Sequence, residues 1–472
     1  MKIFSLRTKA WLGLAIGGAA LLSGVIGAEQ AYSPENSAVA VAGKAANSCL
    51  PQEGWFPHRQ TLEPNSGQFA ADASNCAFHQ WSWQMFLWLT QALPDPDHQG
   101  QTLPRFLTFP DPRILRGKSQ SSADSFLPAL NLKDDRPLDE YLQAGPDGML
   151  VDQNGRLVYY SMYLNDVFAN FVKEQGLNSA ERIRDFNPGI NYPVGTLTLK
   201  AAWKVLSSEE QKRNDVSHKF YTRTAEVYPL KKRGKGFELD RTYPQEVVLA
   251  LVGLHVVGTT RHHEEMIWAS FEHVDNAPDV DAGAIQDPKT PVSDRDWSFY
   301  AKNTPLSACN QNLASSGKLE LDETRQTFTP VTQVCRMYPY GSGPDKQPAN
   351  AANIKALNTA VRNKLEGPWN NYFEVGAIWF DTQKGKPLQA NCNFQPGANQ
   401  CGVVLAGSTR LSNAAIETFT QSQSSMDNCF ACHQTMPHYG GPGQQTLPGK
   451  NLSISHIMNN LYFDLQSSKK SN

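Results

Sequence analysis

The sequence predicts an α+β fold, with a large, mixed, strand-rich N-terminal domain and a short helical C-terminal segment packed against it. Three observations carry this expectation. Strand-like runs crowd between residues 149 and 381 and outnumber the helical stripes there. The helical periodicities sit apart, near residue 78, near residue 160 and in the tail, instead of alternating with each strand. No repeat of fixed period is present, so neither a solenoid nor a propeller is indicated.

At the N-terminus, Lys2, Arg7 and Lys9 precede an apolar run from Ala10 to Ala28, the charge-then-apolar order of an export signal. Cleavage near Ala28 and retention as an anchor both stay open, because the run is close to the ~20 residues that span a bilayer. Residues 1–28 therefore read as a signal peptide or N-terminal membrane anchor. Residues 29–48, rich in Ala, Ser and Gly, read as a flexible leader. A large α+β domain over 49–405 and a C-terminal segment over 406–472 follow.

Within the large domain, Phe78, Trp81, Met85, Phe86, Trp88 and Leu89 recur at helical spacing, with Asn75 available as a cap. Residues 93–148 are rich in Pro, Asp and Gly and read as surface connections. Asn154-Gly155 between the apolar runs 149–151 and 157–159 predicts a hairpin. Tyr160, Tyr163, Leu164, Val167, Phe168, Phe171 and Val172 form a helical stripe that Gly176 ends. Residues 197–205 alternate as a strand with one wet face, while the continuous apolar run in 245–257 reads as a strand buried on both faces. Residues 267–273 and 372–380 are further strands, and 351–365 and 411–420 are expected to be helical.

The chain has 472 residues with 43 basic against 45 acidic, a balance without electrostatic commitment to a polyanion, so nucleic acid is not an expected partner. Of its 8 cysteines, Cys429 and Cys432 form one close pair. The other six suit disulfides in an oxidising compartment. Pairing of neighbours is expected: Cys49 with Cys76, Cys309 with Cys335, and Cys392 with Cys401.

The chemistry lies in Cys429-Phe430-Ala431-Cys432-His433. Two thiols separated by two residues can add across the vinyl groups of a porphyrin, and the histidine that follows can bind its iron. That imidazole needs its second ring nitrogen held by a carbonyl or water. A thioredoxin-like redox pair would open a helix early in a βαβ unit, and a structural zinc site would need a second thiolate pair, which Cys392 and Cys401 supply awkwardly. The string resembles the attachment motif of the c-type cytochromes. The chain as a whole is similar to large periplasmic proteins that carry a single C-terminal haem motif behind a long N-terminal domain. Recurrent blocks of that group resemble 201–206, 251–255 and 268–278 of this sequence. The resemblance implies one covalent haem c on Cys429 and Cys432, with His433 as an iron ligand.

The chain after His433 is too short to enclose a porphyrin, whose apolar faces are worth several kcal/mol of burial at ~25 cal/mol per Å², so the large domain is expected to supply a wall. For the sixth iron position Met458, in a helix over 454–465, competes with its role as a core residue. His456, Met436, His438 and Met426 are weaker candidates, and a vacant site is the remaining option. A second cluster, His255, His262, His263, Glu264 and His273, has metal-ligand types without a ligand-set spacing. These histidines read as loop and strand-end residues or as a pocket wall, to which Glu272, Asp275 and Asn276 are added. The functional expectation is an exported mono-haem protein of the periplasm, soluble or anchored to the outer face of the cytoplasmic membrane. It would pass electrons to a periplasmic donor or acceptor. The alternatives are a haem-dependent oxidoreductase, peroxidase- or oxygenase-like, acting on a small-molecule substrate at an open iron site, and a haem-bearing scaffold.

Overall fold

The computed structural model describes residues 49–96, 99–116, 137–145, 147–281, 283, 285, 287–341, 348–395, 401–421 and 428–470. The expected export segment (1–28), the expected leader (29–48) and Met426 lie outside them. Among the described residues no helix is long and apolar enough to cross a membrane.

An α+β architecture is observed, centred on one antiparallel sheet of seven strands. These are β1 (Val158–Leu164), β2 (Leu197–Val205), β3 (Thr222–Val227), β4 (Gln245–Thr260), β5 (His263–His273), β6 (Tyr372–Phe380) and β7 (Leu405–Gly407). They run in the order β7-β6-β5-β4-β2-β1, with β3 pairing the first part of β4. The sixteen-residue β4 serves two partners in turn, β3 over 245–250 and β2 over 249–258. Its apolar run is buried because helices and loops cover both faces of the sheet.

Alternation along the strands divides the sheet into two faces. One face presents Leu199 and Trp203 of β2, Leu254 and Val256 of β4, Phe271 of β5 and Trp379 of β6. Helices α1 (Asn75–Leu89) and α3 (Pro348–Arg362) seal it, burying Trp83, Met85, Phe86, Leu357 and Val361. The rings of Phe86 and Phe271 stack at 4.4 Å, and those of Phe78 and Trp379 at 4.0 Å. The opposite face carries rows read straight from the register. One is Leu164, Thr198, Val257, Trp268 and Ile378, and the next is Met162, Lys200, His255, Ser270 and Gly376. The third row contains Tyr160, Ala202, Gly253 and Glu272. The C-terminal segment and helix α2 (Asp166–Glu174) cover this face.

Several local expectations are corrected. Ser74, not Asn75, caps α1 by accepting from Ala77 N, and Asn75 is the first helical residue. The stripe from Tyr160 is not one helix: β1 runs to Leu164, Asn165 caps α2 by accepting from Phe168 N, and Gly176 at φ 62° follows its end. Aromatic β-formers in β1 happened to fall at helical spacing. The chain does reverse at Asn154-Gly155, with Val151 opposite Leu157 and Asp152 Oδ1 accepting from Asn154 N and Arg156 N. The supposed wet face of β2 is covered, since Ala202 and Lys204 are buried. Residues 411–420 are irregular, not helical, because side chains capture their amides. Asn413 Oδ1 accepts from Ala415 N and Ile416 N, and Glu272 accepts from Ala414 N. The disulfides are Cys49–Cys76, Cys309–Cys335 and Cys392–Cys401, as neighbour pairing anticipated.

Candidate functional site around Cys429–His433

Cys429–Ala431 form a single 3-10 turn, in which Cys432 N and His433 N both donate to Cys429 O. This turn brings residues 429, 432 and 433 into one compact unit. Cys429 and Cys432 remain free thiols. Burial pushes the Cys429 thiol up to about 12, reinforced by the Glu417 carboxylate, and the Cys432 thiol is raised for the same reasons. A redox thiolate requires the opposite shift.

His433 is held from both sides. Its ring lies 4.1 Å from Trp268 and 4.0 Å from His456, and Nδ1 bonds Ile454 O at 2.9 Å. A carbonyl only accepts, so Nδ1 carries the proton and Nε2 the lone pair of the neutral ring. Burial, then the charges of His456 and Lys200, keep His433 well below its ordinary pKa, which favours that neutral form. Nε2 has no hydrogen-bond partner among the described residues.

The large domain fixes the carbonyl that orients His433. Ile454 ends the turn Asn451–Ile454, whose Leu452 O accepts from Tyr192 OH and whose Asn451 N donates to Pro188 O. The preceding Lys450 Nζ donates to the carbonyls of Ile183, Arg184 and Phe186. Phe430 packs against Phe380 at 4.7 Å and Phe394 at 6.0 Å. Thr435 bonds Cys392, so the Cys392–Cys401 disulfide braces the motif from the other side.

Facing this turn from the sheet is a polar group. Lys200 Nζ donates to Gln143 Oε1 at 2.7 Å and to Glu417 Oε1 at 2.9 Å. Asn413 Nδ2 lies 3.0 Å from His255 Nε2. Because Asn413 Oδ1 is committed to two backbone amides, its NH₂ must face the ring, and His255 Nε2 accepts. Burial first, then the Lys200 charge, lowers His255 to about 3. Lys200 and Glu417 are close enough to perturb the ionisation of Cys429, Cys432 and His456. Lys200, His255, Glu417, Cys429, Cys432, His433 and His456 are all half-buried, so each keeps some solvent-accessible surface.

The structure distributes the remaining candidates. Met458 is fully buried among Phe430, Leu447, Ile454 and Leu461, the core environment that competed with a ligand role. His456 Nε2 lies 3.3 Å from Cys432 O, His438 Nε2 lies 3.3 Å from Asn459 Nδ2, and Met436 is exposed. The five-member His/Glu cluster does not converge. His262 is exposed at the β4–β5 turn with φ 71°, Glu264 is half-buried, His263 bonds Glu265, and His273 Nε2 donates to Lys219 O. Among the described residues no three His, Cys, Asp or Glu side chains gather to hold an ion. Glu272 pairs with buried Arg336, Asp275 with Lys219, and Asn276 donates to Val252 O. Of the proposed wall residues only His255 borders the site. Lys200, Gln143, Asn413, Glu417 and Trp268 were missed. Alternation put Lys200 on the expected wet face of its strand, so no local signal set it apart.

No family model, curated protein or solved structure matches this chain.

Proposed function

We propose that this chain is an exported mono-haem c-type cytochrome that takes part in periplasmic redox chemistry, most directly as a carrier of single electrons. The observation that carries the reading is the pairing of two unbridged thiols with an adjoining neutral imidazole whose Nδ1 is tied to Ile454 O, in a chain whose other cysteines are bridged. This donor set fits a thioether-attached porphyrin. Cys429 and Cys432 would hold the ring, and His433 Nε2 would hold its iron. When bound, the group supplies reversible one-electron chemistry. The chain's own part is to fix the imidazole against Trp268 and His456 and to wall the site with Phe430, Phe380 and Trp268. Compartment and partner follow the same reading: a periplasmic electron donor or acceptor, reached by a chain that carries an export segment at residues 1–28.

One observation favours the second reading, a haem-dependent oxidoreductase. The Lys200, Glu417 and His255 group provides proton donors and an acceptor beside the motif, which a pure carrier does not need. The full chain, exported from a host that matures c-type cytochromes, should keep its colour after acid–acetone extraction, which removes non-covalent haem. Colour that passes into the solvent would defeat the proposal. Carbon monoxide binding to the reduced protein without ligand displacement would select the oxidoreductase, and its absence the carrier.

A further inference from the structure

Outside the site described above, three ionisable side chains meet: Lys204 near the end of β2, Asp152 in the turn before β1, and Glu210 in the helical turn Ser208–Gln211. The side chain of Lys204 is 3% exposed and that of Asp152 0%, and apolar Leu150, Val158, Ala202 and Leu206 cluster along that stretch of the sheet. A buried ion pair offsets its desolvation only when its alignment is good and the remaining lone pairs are bonded. This pair is not built that way. Asp152 Oδ1 accepts from Asn154 N at 2.9 Å and Arg156 N at 2.7 Å, while Oδ2 makes no hydrogen bond among the described residues. Lys204 Nζ nevertheless stands 3.2 Å from Oδ2. It bonds Glu210 Oε1, and Glu210 Oε2 is fixed by Ser207 N at 2.9 Å and Ser207 Oγ at 3.0 Å.

These are the parts of an amide condensation. Nζ is an amine beside a carboxyl group, and the two amides on Oδ1 face the oxygen on which charge gathers when that carboxyl is attacked. Glu210 is a base in contact with the amine. Burial pushes Asp152 above the usual carboxylate range, against the Lys204 charge, which favours the neutral acid that can lose a hydroxyl. Burial acts the same way on Glu210, but the Lys204 charge and the bonds from Lys204 and Ser207 outweigh it and hold that group below its usual range, as a carboxylate. We infer that Lys204 and Asp152 join in an isopeptide bond that the folded chain forms by itself, with Glu210 as the catalytic base. The Nζ–Cγ bond forms and the Cγ–Oδ2 bond breaks. Of the protons on the Lys204 ammonium, one stays on the amide nitrogen, one leaves with the Oδ2 hydroxyl as water, and one passes to Glu210. The Glu210 side chain is 21% exposed and hands that proton to solvent. No oxidant, reductant or second molecule takes part. The product ties the Asn154-Gly155 turn to the end of β2 and so fixes the entry to β1, the last strand of the sheet. The assignment does not rest on the haem reading.

The test is mass spectrometry of the full chain, purified folded, then reduced, alkylated and digested with trypsin, which does not cut after an acylated lysine. The expected result is one branched fragment that joins the Asp152 and Lys204 segments and is lighter than their sum by one water. Lys204→Met should yield the two segments separately. Glu210→Gln changes only the partly exposed member of the group, and it should fold, as read from its circular dichroism, yet leave the segments unjoined; it decides the matter if Lys204→Met does not fold. Asp152→Asn should give the same branched fragment as wild type, with ammonia lost in place of water. Separate, unmodified segments from wild type would overturn the assignment. So would a branch that maps to other residues, or one that persists undiminished in Glu210→Gln. Using Cys429→Ser/Cys432→Ser protein throughout keeps the result independent of porphyrin attachment.

Discussion

The face of the sheet beneath α1 and α3 and the face beneath the C-terminal segment are made of the same strands yet differ in kind. The first is a closed layer in which Trp83, Met85, Phe86, Leu254 and Phe271 pack with ring stacking from helix to sheet, and in which the buried polar groups are bonded among themselves, His79 to Glu374 and Asn350 and Trp83 to Asn358. The second interrupts its apolar rows with Lys200, His255, Ser270 and Gly376, and the residues above them keep solvent-accessible surface. One face is packed for stability, and the other is cut away around a turn bearing two thiols and an imidazole. A single chain can do both because strand alternation lets neighbouring residues serve opposite layers.

Substitutions across the sheet can break this contrast, and the largest effects are expected where packing is complete. Phe86→Ala should lower unfolding free energy by about 3–5 kcal/mol, read from the urea midpoint at constant slope. A loss below about 1 kcal/mol would mean that this layer is not close-packed. Glu272→Ala tests the one place where the cut-away face is also structural. It would leave Arg336 buried without its main carboxylate partner and free the amides of Ala414 and Ala415, at a cost of about 3–5 kcal/mol.

Acid sensitivity gives an intermediate effect. Burial lowers His273, partly offset by its bond to Lys219 O, to about 4. The unfolded chain takes up that proton near pH 6.5, whereas the folded chain resists until about pH 4. Stability from this group is therefore whole above pH 6.5 and is lost as pH falls through that window, by roughly 3 kcal/mol at most. The urea midpoint of wild type should fall over this range, and the fall should be shallower in His273→Phe. An identical pH profile in the two proteins would contradict the assignment. Smallest of all, Met162→Ala on the open face should change the stability of porphyrin-free protein by only about 0.5 kcal/mol. A cost comparable to Phe86→Ala would show that the two faces are packed alike.

The parts legible in the sequence were those set by local chemistry. Alternation marked β2, the β-branched run marked β4, aromatic spacing marked α1, and the spacing of cysteines marked both the three disulfides and the free pair. Long-range choices were not legible. Tyr160–Leu164 became a strand because β2 lay ready to pair with it, and 411–420 lost its helix to amide capture by Asn413 and Glu272, partners fixed by tertiary packing. The same limit hid the site's second half. Lys200 and His255 are 55 residues apart in sequence and become neighbours only through the β2–β4 register, and Glu417 joins them from a loop with no periodic signal.

The account stands on attachment at the turn. Mass spectrometry of the proteolytic fragment spanning Cys429 to His433, taken from protein matured and exported with the c-type machinery, is its most direct test. The account predicts that this fragment carries the mass of one iron porphyrin on its two cysteines, and that Cys429→Ser/Cys432→Ser protein lacks it. A fragment of unmodified mass with both thiols alkylatable would contradict it.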